Sequence, residues 1–264
     1  FKFNYQDKLA AIYDTQTENK VKFSPKLNFI YSQNANFQLY LKSGLGFHSN
    51  DARVVVANAG KQILPTAIGT DLGTIFKPFP RLMLNAALWY LQLQEELVYV
   101  GDAATVEISG RTKRMGIDFG LRYQVSDYLF LDTDLNYTYA RSIDAPQGEN
   151  YIPLAPDFTA TAGLNTTKYK GFSGGFYYRY LKSRPANEDN SIVAKGYMIS
   201  DINLNYEYGN ITFGLSAENI FNTQWNETQF ATESQLQNES QSVEEIHFTP
   251  GTPFFLKGKL SYRF

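Results

Sequence analysis

Along most of this chain apolar and polar side chains alternate with a period of two, the period a β-strand imposes by pointing successive side chains to opposite faces. Leu82, Leu84, Ala86, Leu88 and Tyr90 form one apolar row. Met115, Ile117, Phe119, Leu121 and Tyr123 form another, opposed by Gly116, Asp118, Gly120, Arg122 and Gln124. Leu131, Thr133, Leu135, Tyr137 and Tyr139 oppose Asp132, Asp134, Asn136 and Thr138, and Phe172, Gly174, Phe176, Tyr178 and Tyr180 oppose Ser173, Gly175, Tyr177 and Arg179. Ile202, Leu204, Tyr206 and Tyr208 oppose Asp201, Asn203, Asn205 and Glu207. The closing run puts Phe254, Leu256, Gly258, Leu260, Tyr262 and Phe264 on one face and Phe255, Lys257, Lys259, Ser261 and Arg263 on the other.

The pattern predicts about twelve strands: a first near the N-terminus, then about 19–32, 37–48, 65–76, 81–99, 106–124, 128–141, 157–168, 172–183, 195–208, 211–221 and 252–264. Their connections alternate in length. Short links fall near Gln33 to Asn36, Lys77 to Pro80, Val125 to Tyr128, Tyr169 to Gly171 and Gly209 to Asn210. Long polar links fall at Ser49 to Leu64, Ser142 to Pro153, Pro185 to Val193 and Thr223 to Gly251, with Val100 to Ala104 as one brief link on the long-link side.

Composition narrows the choice of all-β architecture. No stretch approaches the roughly 18 apolar residues that a membrane-crossing helix needs, whereas a crossing strand needs only about 9 to 11. Phe (20) and Tyr (19) far outnumber Trp (2), a surplus that suits an interfacial girdle and equally a soluble β-sandwich. The link asymmetry favours a transmembrane antiparallel β-barrel of outer-membrane type, in which short periplasmic turns alternate with long extracellular loops. An even strand count would put both termini at the periplasmic end. A formal net charge of −2 without a basic patch argues against nucleic acid as a partner. With no cysteine and only His48 and His247, neither a metal centre nor a cofactor is expected. The chain opens Phe-Lys-Phe-Asn-Tyr, without a signal peptide, and reads as a mature or truncated product.

Three motifs carry a family resemblance. Leu45 to Arg53 (LGFHSNDAR), Ala217 to Asn222 (AENIFN) and Phe248 to Phe264 (FTPGTPFFLKGKLSYRF) look like the C-terminal half of a TonB-dependent outer-membrane receptor, Bacteroidetes-like in character. In that family the first element ends an ascending strand, the second ends the penultimate strand and the third opens the last. The resemblance covers essentially residues 1–264 and implies part of a plugged barrel of about 22 strands. It implies TonB-energised import of a scarce ligand such as a ferric siderophore, cobalamin or a glycan. The plug, the TonB-contacting segment and about ten strands of the family pattern are not in this sequence. The partners implied are therefore outer-membrane lipid, the plug and N-terminal strands, TonB only through that N-terminal part, and a small-molecule ligand. A fragment of a receptor, a barrel shared with another polypeptide, and a small barrel closed from these strands as a passive porin or structural surface barrel are the alternatives, the fragment being favoured.

No catalytic set is expected. His48 and Ser49 point to opposite faces of a strand, which does not bring a nucleophile to its base. They read as the top of a strand, with Asn50 and Asp51 capping a turn and Arg53 near lumenal carboxylates. The tract from Asn226 to His247, with Glu227, Glu233, Glu239, Glu244 and Glu245, lacks a cation-ligand spacing and reads as a solvated loop. Ligand contacts are expected in the long loops, with His48, Asn50, Asp51, Arg53, Tyr151 and Trp225 as candidates; Tyr151 and Trp225 equally suit anchoring of their loops on the rim. Asp118, Arg122, Asp132, Asp134, Arg179, Asp201 and Glu207 are expected to face the lumen, gripping a plug or pairing across the wall.

Overall fold

The computed structural model of the protein describes residues 2–7, 14–47, 64–100, 105–108 and 110–264. In chain order the strands are β1 (Lys2–Asp7), β2 (Asp14–Asn19), β3 (Lys26–Asn34), β4 (Phe37–Phe47), β5 (Thr66–Phe79), β6 (Leu82–Leu93), β7 (Leu97–Val100), β8 (Thr105–Ile108), β9 (Thr112–Gln124) and β10 (Leu129–Ser142). They continue with β11 (Phe158–Tyr169), β12 (Phe172–Leu181), β13 (Arg184–Pro185), β14 (Val193–Ala194), β15 (Tyr197–Tyr208), β16 (Ile211–Glu218), β17 (Asn226–Ser234), β18 (Val243–Pro250) and β19 (Phe255–Tyr262). Eleven of them make one antiparallel sheet in the order β19-β16-β15-β12-β11-β10-β9-β6-β5-β4-β3, each paired with its neighbours along the chain. The other eight form four separate hairpins, β1-β2, β7-β8, β13-β14 and β17-β18.

The eleven wall strands correspond to the last eleven expected from the alternation. The expected first strand is instead one arm of the β1-β2 hairpin, outside the wall. With eleven strands rather than twelve, the first and last run the same way, so the start of β3 lies at the long-loop end and the end of β19 at the short-turn end. The expected 19–32 strand is split because Pro25, which has no N–H to give to a ladder, precedes β3, and its carbonyl instead accepts the Leu45 N–H at 3.0 Å. The long 81–99 and 106–124 strands are also cut short. β6 stops at Leu93 and β9 starts at Thr112, because Gly110 turns the chain at φ +72° and Glu96 forms an ion pair with Arg114. Between them β7 and β8 pair only with each other.

All five short links close as expected at the end where β19 finishes. At Lys170 and Gly171, with φ of +50° and +89°, both turn residues are left-handed, the form whose twist matches a two-residue hairpin. The cross-strand register keeps every apolar row in line. Leu88 pairs with Leu72 and Ile117, Ile117 with Tyr137, and Leu135 with Phe119 and Ala160. Among the described residues this apolar face is uncovered: Leu72, Leu88, Ile117 and Tyr137 are each about half exposed (52, 55, 49 and 51 %). At its short-turn end runs a girdle of paired rings, Phe37 with Phe76, Phe79 with Tyr123, Tyr128 with Tyr169 and Phe172 with Tyr206, at centroid separations of 4.5 to 6.0 Å.

The small apolar core lies elsewhere, at the long-loop end. Ile152, Ala186, Ala194 and Ile199 are buried there, where the 143–157 and 182–196 connections are tied by the Leu154 N–H to Pro185 O and the Tyr151 N–H to Glu188 O. An apolar surface this large and continuous on one face, with polar residues on the other, belongs in hydrocarbon. Leu135→Arg is therefore expected to lose about 2 to 4 kcal/mol of membrane folding stability, whereas Asn136→Arg, one residue on and facing the opposite way, should be neutral. Folded fractions measured by urea titration in lipid vesicles check this; equal losses for the two would reverse the facing.

Candidate functional site

The inner face of the wall is built from the polar half of each alternation. In register across it stand Asp118 with Asn136, Arg122 with Asp132, Asp134 with Gly120, Tyr177 with Asp201, and Glu207 with Thr212. Arg122 is the centre of one cluster. Its Nη2 donates to both carboxylate oxygens of Asp134 at 2.9 Å, its Nε lies 3.5 Å from Asp132, and its Nη1 donates to the Thr133 carbonyl at 3.0 Å. Asp118 accepts from the Trp89 indole N–H at 3.0 Å and from the Asn136 amide. Glu207 pairs with Lys168 at 2.8 Å near the short-turn end. Arg179 and Asp201, 3.4 Å apart, lie toward the long-loop end. The expected lumenal residues thus spread over the height of the wall in local pairs rather than forming one site.

Glycines opposite large side chains shape this surface. A Cβ on Gly73 would fall 2.3 Å from the Tyr40 ring, one on Gly116 2.5 Å from Trp89, and one on Gly175 2.6 Å from the Tyr177 hydroxyl. Tyr40 and Trp89 therefore lie flat over the neighbouring strand and Tyr177 lies back along its own, and the inside of the wall stays shallow despite its aromatic content.

At the long-loop end the AENIFN element becomes a polar hub. Asn219, nearly fully buried at φ +48°, donates its backbone N–H to Asp201 Oδ1 at 2.8 Å and its amide to Thr223 O and Thr252 O at 2.8 and 3.1 Å. Its Oδ1 accepts the Thr223 N–H at 2.8 Å, and Asn222 Oδ1 accepts the Phe254 N–H at 3.0 Å. The left-handed Asn219 is also why β16 ends at Glu218 rather than 221. The tract expected as a solvated loop is ordered instead as the β17-β18 hairpin. Gln229, buried on β17, fastens it by accepting the Lys195 N–H at 2.9 Å and donating to the Lys195 carbonyl at 2.8 Å, as a backbone amide would. The acidic side chains of the hairpin are dispersed; Glu233 and Glu244 face each other across it, and His247 lies 3.8 Å from Glu245.

Trp225 sits between this hairpin and the wall. Its ring packs on Tyr197 at 4.9 Å and covers Gly251, with the Arg179 guanidinium 6.0 Å from its centroid and its indole N–H donating to Thr252 O at 3.0 Å. It borders a cleft of about 650 Å3 lined also by Lys195, Gln229, Ile246 and Phe248, and a second recess of about 370 Å3 holding Arg179, Asp201, Glu218 and Glu227. Tyr151 is elsewhere, bridged to Arg141 and stacked on its guanidinium at 4.1 Å. Trp225, Arg179 and Asp201 are thus brought together, and Tyr151 is not with them. His48, Asn50, Asp51 and Arg53 lie outside the described residues. Missed by sequence reasoning were the Asn219 hub, for which the AENIFN motif was the available signal, and the Gln229 clamp, for which there was none.

A family model described as TonB dependent receptor-like, beta-barrel matches residues 1–220. The chain belongs to that family. Solved structures with the same fold include the ferric yersiniabactin uptake receptor FyuA from Yersinia pestis, 15% identical with a TM-score of 0.71, over 96% of this chain and 39% of that one. The siderophore receptor PiuA from Acinetobacter baumannii (14%, TM-score 0.72, 99% and 38%) and the ferric-catecholate import receptor Fiu from K12 E. coli in its closed form (17%, TM-score 0.71, 96% and 36%) are similar. The chain therefore spans roughly two fifths of the length of these receptors. No curated protein matches it. As a member of the TonB-dependent receptor family, it has the antiparallel, outer-membrane type of β-barrel wall that its alternation indicated.

Two predictions follow from the hub and from a loop clip. Asn219→Ala removes its side-chain hydrogen bonds and places a Cβ-bearing residue without a local partner at positive φ, at an expected cost of about 1 to 3 kcal/mol. Asn219→Gly relieves the φ but not the lost bonds, so both should speed hydrogen exchange in β17 and β18 while leaving β9 and β10 unchanged. In the outer connections, hydrogen bonds from the Arg111 side chain and backbone N–H hold the Asp144 carboxyl below its usual range, with Arg111 raised in turn. A lowered carboxylate pKa stabilises above the unfolded value, about 3.9, and that contribution disappears as pH falls through the lower folded value. Protection of the Arg111 amide, bonded to Asp144 at 2.9 Å, should therefore fade only in strongly acidic solution in the wild type and be weak at every pH in Asp144→Asn.

Proposed function

We propose that this chain forms the C-terminal part of the wall of an outer-membrane importer that takes up a scarce ligand, of the ferric siderophore, cobalamin or glycan class, with energy delivered through TonB. The observation that carries the reading is the pair of free edges. β3 and β19 stand at opposite ends of an eleven-stranded sheet whose apolar face suits lipid, and unpaired backbone groups in hydrocarbon cost several kcal/mol each. Further strands that pair with both edges satisfy those groups and make a barrel of the family's size. A passive pore closed from these strands alone needs β3 to pair with β19, whereas each is an edge strand of the sheet.

The inner wall supports a plugged lumen. Arg122, Asp132, Asp134, Asp118, Arg179, Asp201 and Glu207 offer a plug hydrogen-bonding groups that already have partners in the wall, with carboxylates in excess over guanidinium groups. The shallow surface left by Tyr40, Trp89 and Tyr177 over their glycines leaves room for it. Ligand contact is assigned to the long loops, with Trp225 beside Arg179, and with His48, Asn50, Asp51, Arg53 and Tyr151 as further candidates. The role is binding and transport, not catalysis, with TonB reached through the plug side of the receptor.

Two measurements test this together. The native polypeptide purified from outer membranes should have an intact mass well above the 30.0 kDa of these residues. Uptake of a labelled ferric siderophore, cobalamin or oligosaccharide should stop when the proton-motive force is dissipated. A mass near 30.0 kDa with steady conductance in planar bilayers would establish the passive pore instead.

A further inference from the structure

The outward face of the wall obeys one rule with a single departure. At the register positions of all eleven strands the outward residues are uncharged, except for Lys113 on β9 and Arg141 on β10. These two are direct cross-strand partners. Like charges directly opposite each other on a sheet repel, and neither is paired with a carboxylate among the described residues. The cations nearby differ in this respect: Arg111 is paired with Asp144 at 2.5 Å and Lys182 lies 3.6 Å from Asp157.

The surroundings fit an amphiphile better than a free ion. The Arg141 guanidinium is held between the rings of Tyr139 and Tyr151, at 4.5 and 4.1 Å, and of its five N–H groups one is used, donating to Ala140 O at 2.6 Å. Lys113 faces Gln92 on its other side, whose Oε1 accepts the Tyr90 hydroxyl at 2.9 Å. Immediately below, toward the short-turn end, stand Met115, Ile117 and Tyr137, all exposed. Ten residues separate Lys113 from Tyr123 of the aromatic girdle; at about 3.3 Å per residue and a tilt of about 40°, that is about 25 Å along the membrane normal, the height of an outer-membrane apolar band. The pair therefore sits where hydrocarbon gives way to headgroups.

We propose that Lys113 and Arg141 form a site for the phosphate of an anionic lipid headgroup at the long-loop end of the barrel, with the acyl chains lying along Met115, Ile117 and Tyr137. A phosphate between the two cations relieves their repulsion, takes up the unused guanidinium donors and is framed by the Tyr139 and Tyr151 rings. The inference depends on which face meets lipid and not on the transported cargo, so it stands whichever ligand the receptor carries.

The full receptor in zwitterionic detergent, titrated with phosphatidic acid and followed by native mass spectrometry, tests it. The wild type should retain phosphatidic acid but not phosphatidylcholine. K113Q/R141Q should weaken retention by about thirtyfold, the factor expected for two surface cations acting on an anionic lipid. The charge-conserving K113R/R141K should retain it, which separates loss of the site from loss of the fold. Equal retention by the wild type and K113Q/R141Q, or of the two lipids by the wild type, would overturn the proposal. So would displacement of the lipid by an equal concentration of inorganic phosphate, which would make this a soluble-anion site.

Discussion

A backbone amide in hydrocarbon has no water to turn to, and this constraint orders the molecule. Across the wall it demands an unbroken ladder, and the eleven strands supply one in which each strand pairs with its chain neighbours through links of a few residues at one end. The constraint lapses at the long-loop end, and the structure becomes irregular there. Strands stop, separate hairpins appear, and Ile152, Ala186 and Ala194 of the connections are buried together with Ile199 at the start of β15. Side-chain amides take over the work of the ladder in this region: Gln229 bonds to both backbone groups of Lys195, and Asn219 bonds to three segments at once.

The same constraint divides the chemistry between the two faces. Outward positions must suit lipid, so all the variety that could serve a cargo or a plug is confined to inward positions and loops. Inside, Arg122 reaches two aspartates and Asp118 accepts from Trp89 and Asn136, so these polar groups find hydrogen-bond partners within the wall itself. Gly73 and Gly116 let Tyr40 and Trp89 fold flat on the adjacent strand, and Gly175 lets Tyr177 lie back along its own. An aromatic-rich inner surface thereby remains a thin one, and cross-section is kept for contents other than the wall's own side chains.

Much of this was legible in the chain because a period of two survives wherever one face is apolar. The eleven wall strands, the apolar and polar face of each and all five short links are read from that period and from the turn residues. Strand ends at the long-loop side were not legible. The residues of β7 are as apolar as those of β6 and those of β8 alternate as β9 does, and nothing in the pattern shows that Gly110 adopts a positive φ or that Glu96 turns to Arg114. The β17-β18 hairpin was hidden for a similar reason: its polar composition resembles a loop, while its order comes from Gln229 meeting a backbone 34 residues away. Of the site residues, Arg179, Asp201 and Trp225 converge because Asn219 turns the chain back over β15, a consequence of one left-handed residue.

The outward pair Lys113 and Arg141 shows how depth, rather than identity, decides what a residue costs. The same guanidinium is expensive at the middle of an apolar band and nearly free at its margin, where it reaches headgroups and water. Arg141 is two residues beyond Tyr139, and that step carries it from the band to the margin. Once there, the repulsion from Lys113 is what remains to be relieved, and among the described register positions no carboxylate faces outward to relieve it. Inward charges find their partners within the sheet, as Arg122 does in Asp134; the outward ones must find theirs in the medium. An anionic headgroup is the component of that medium with the matching charge at the matching height, which makes the lipid a structural complement of the outward face of the wall.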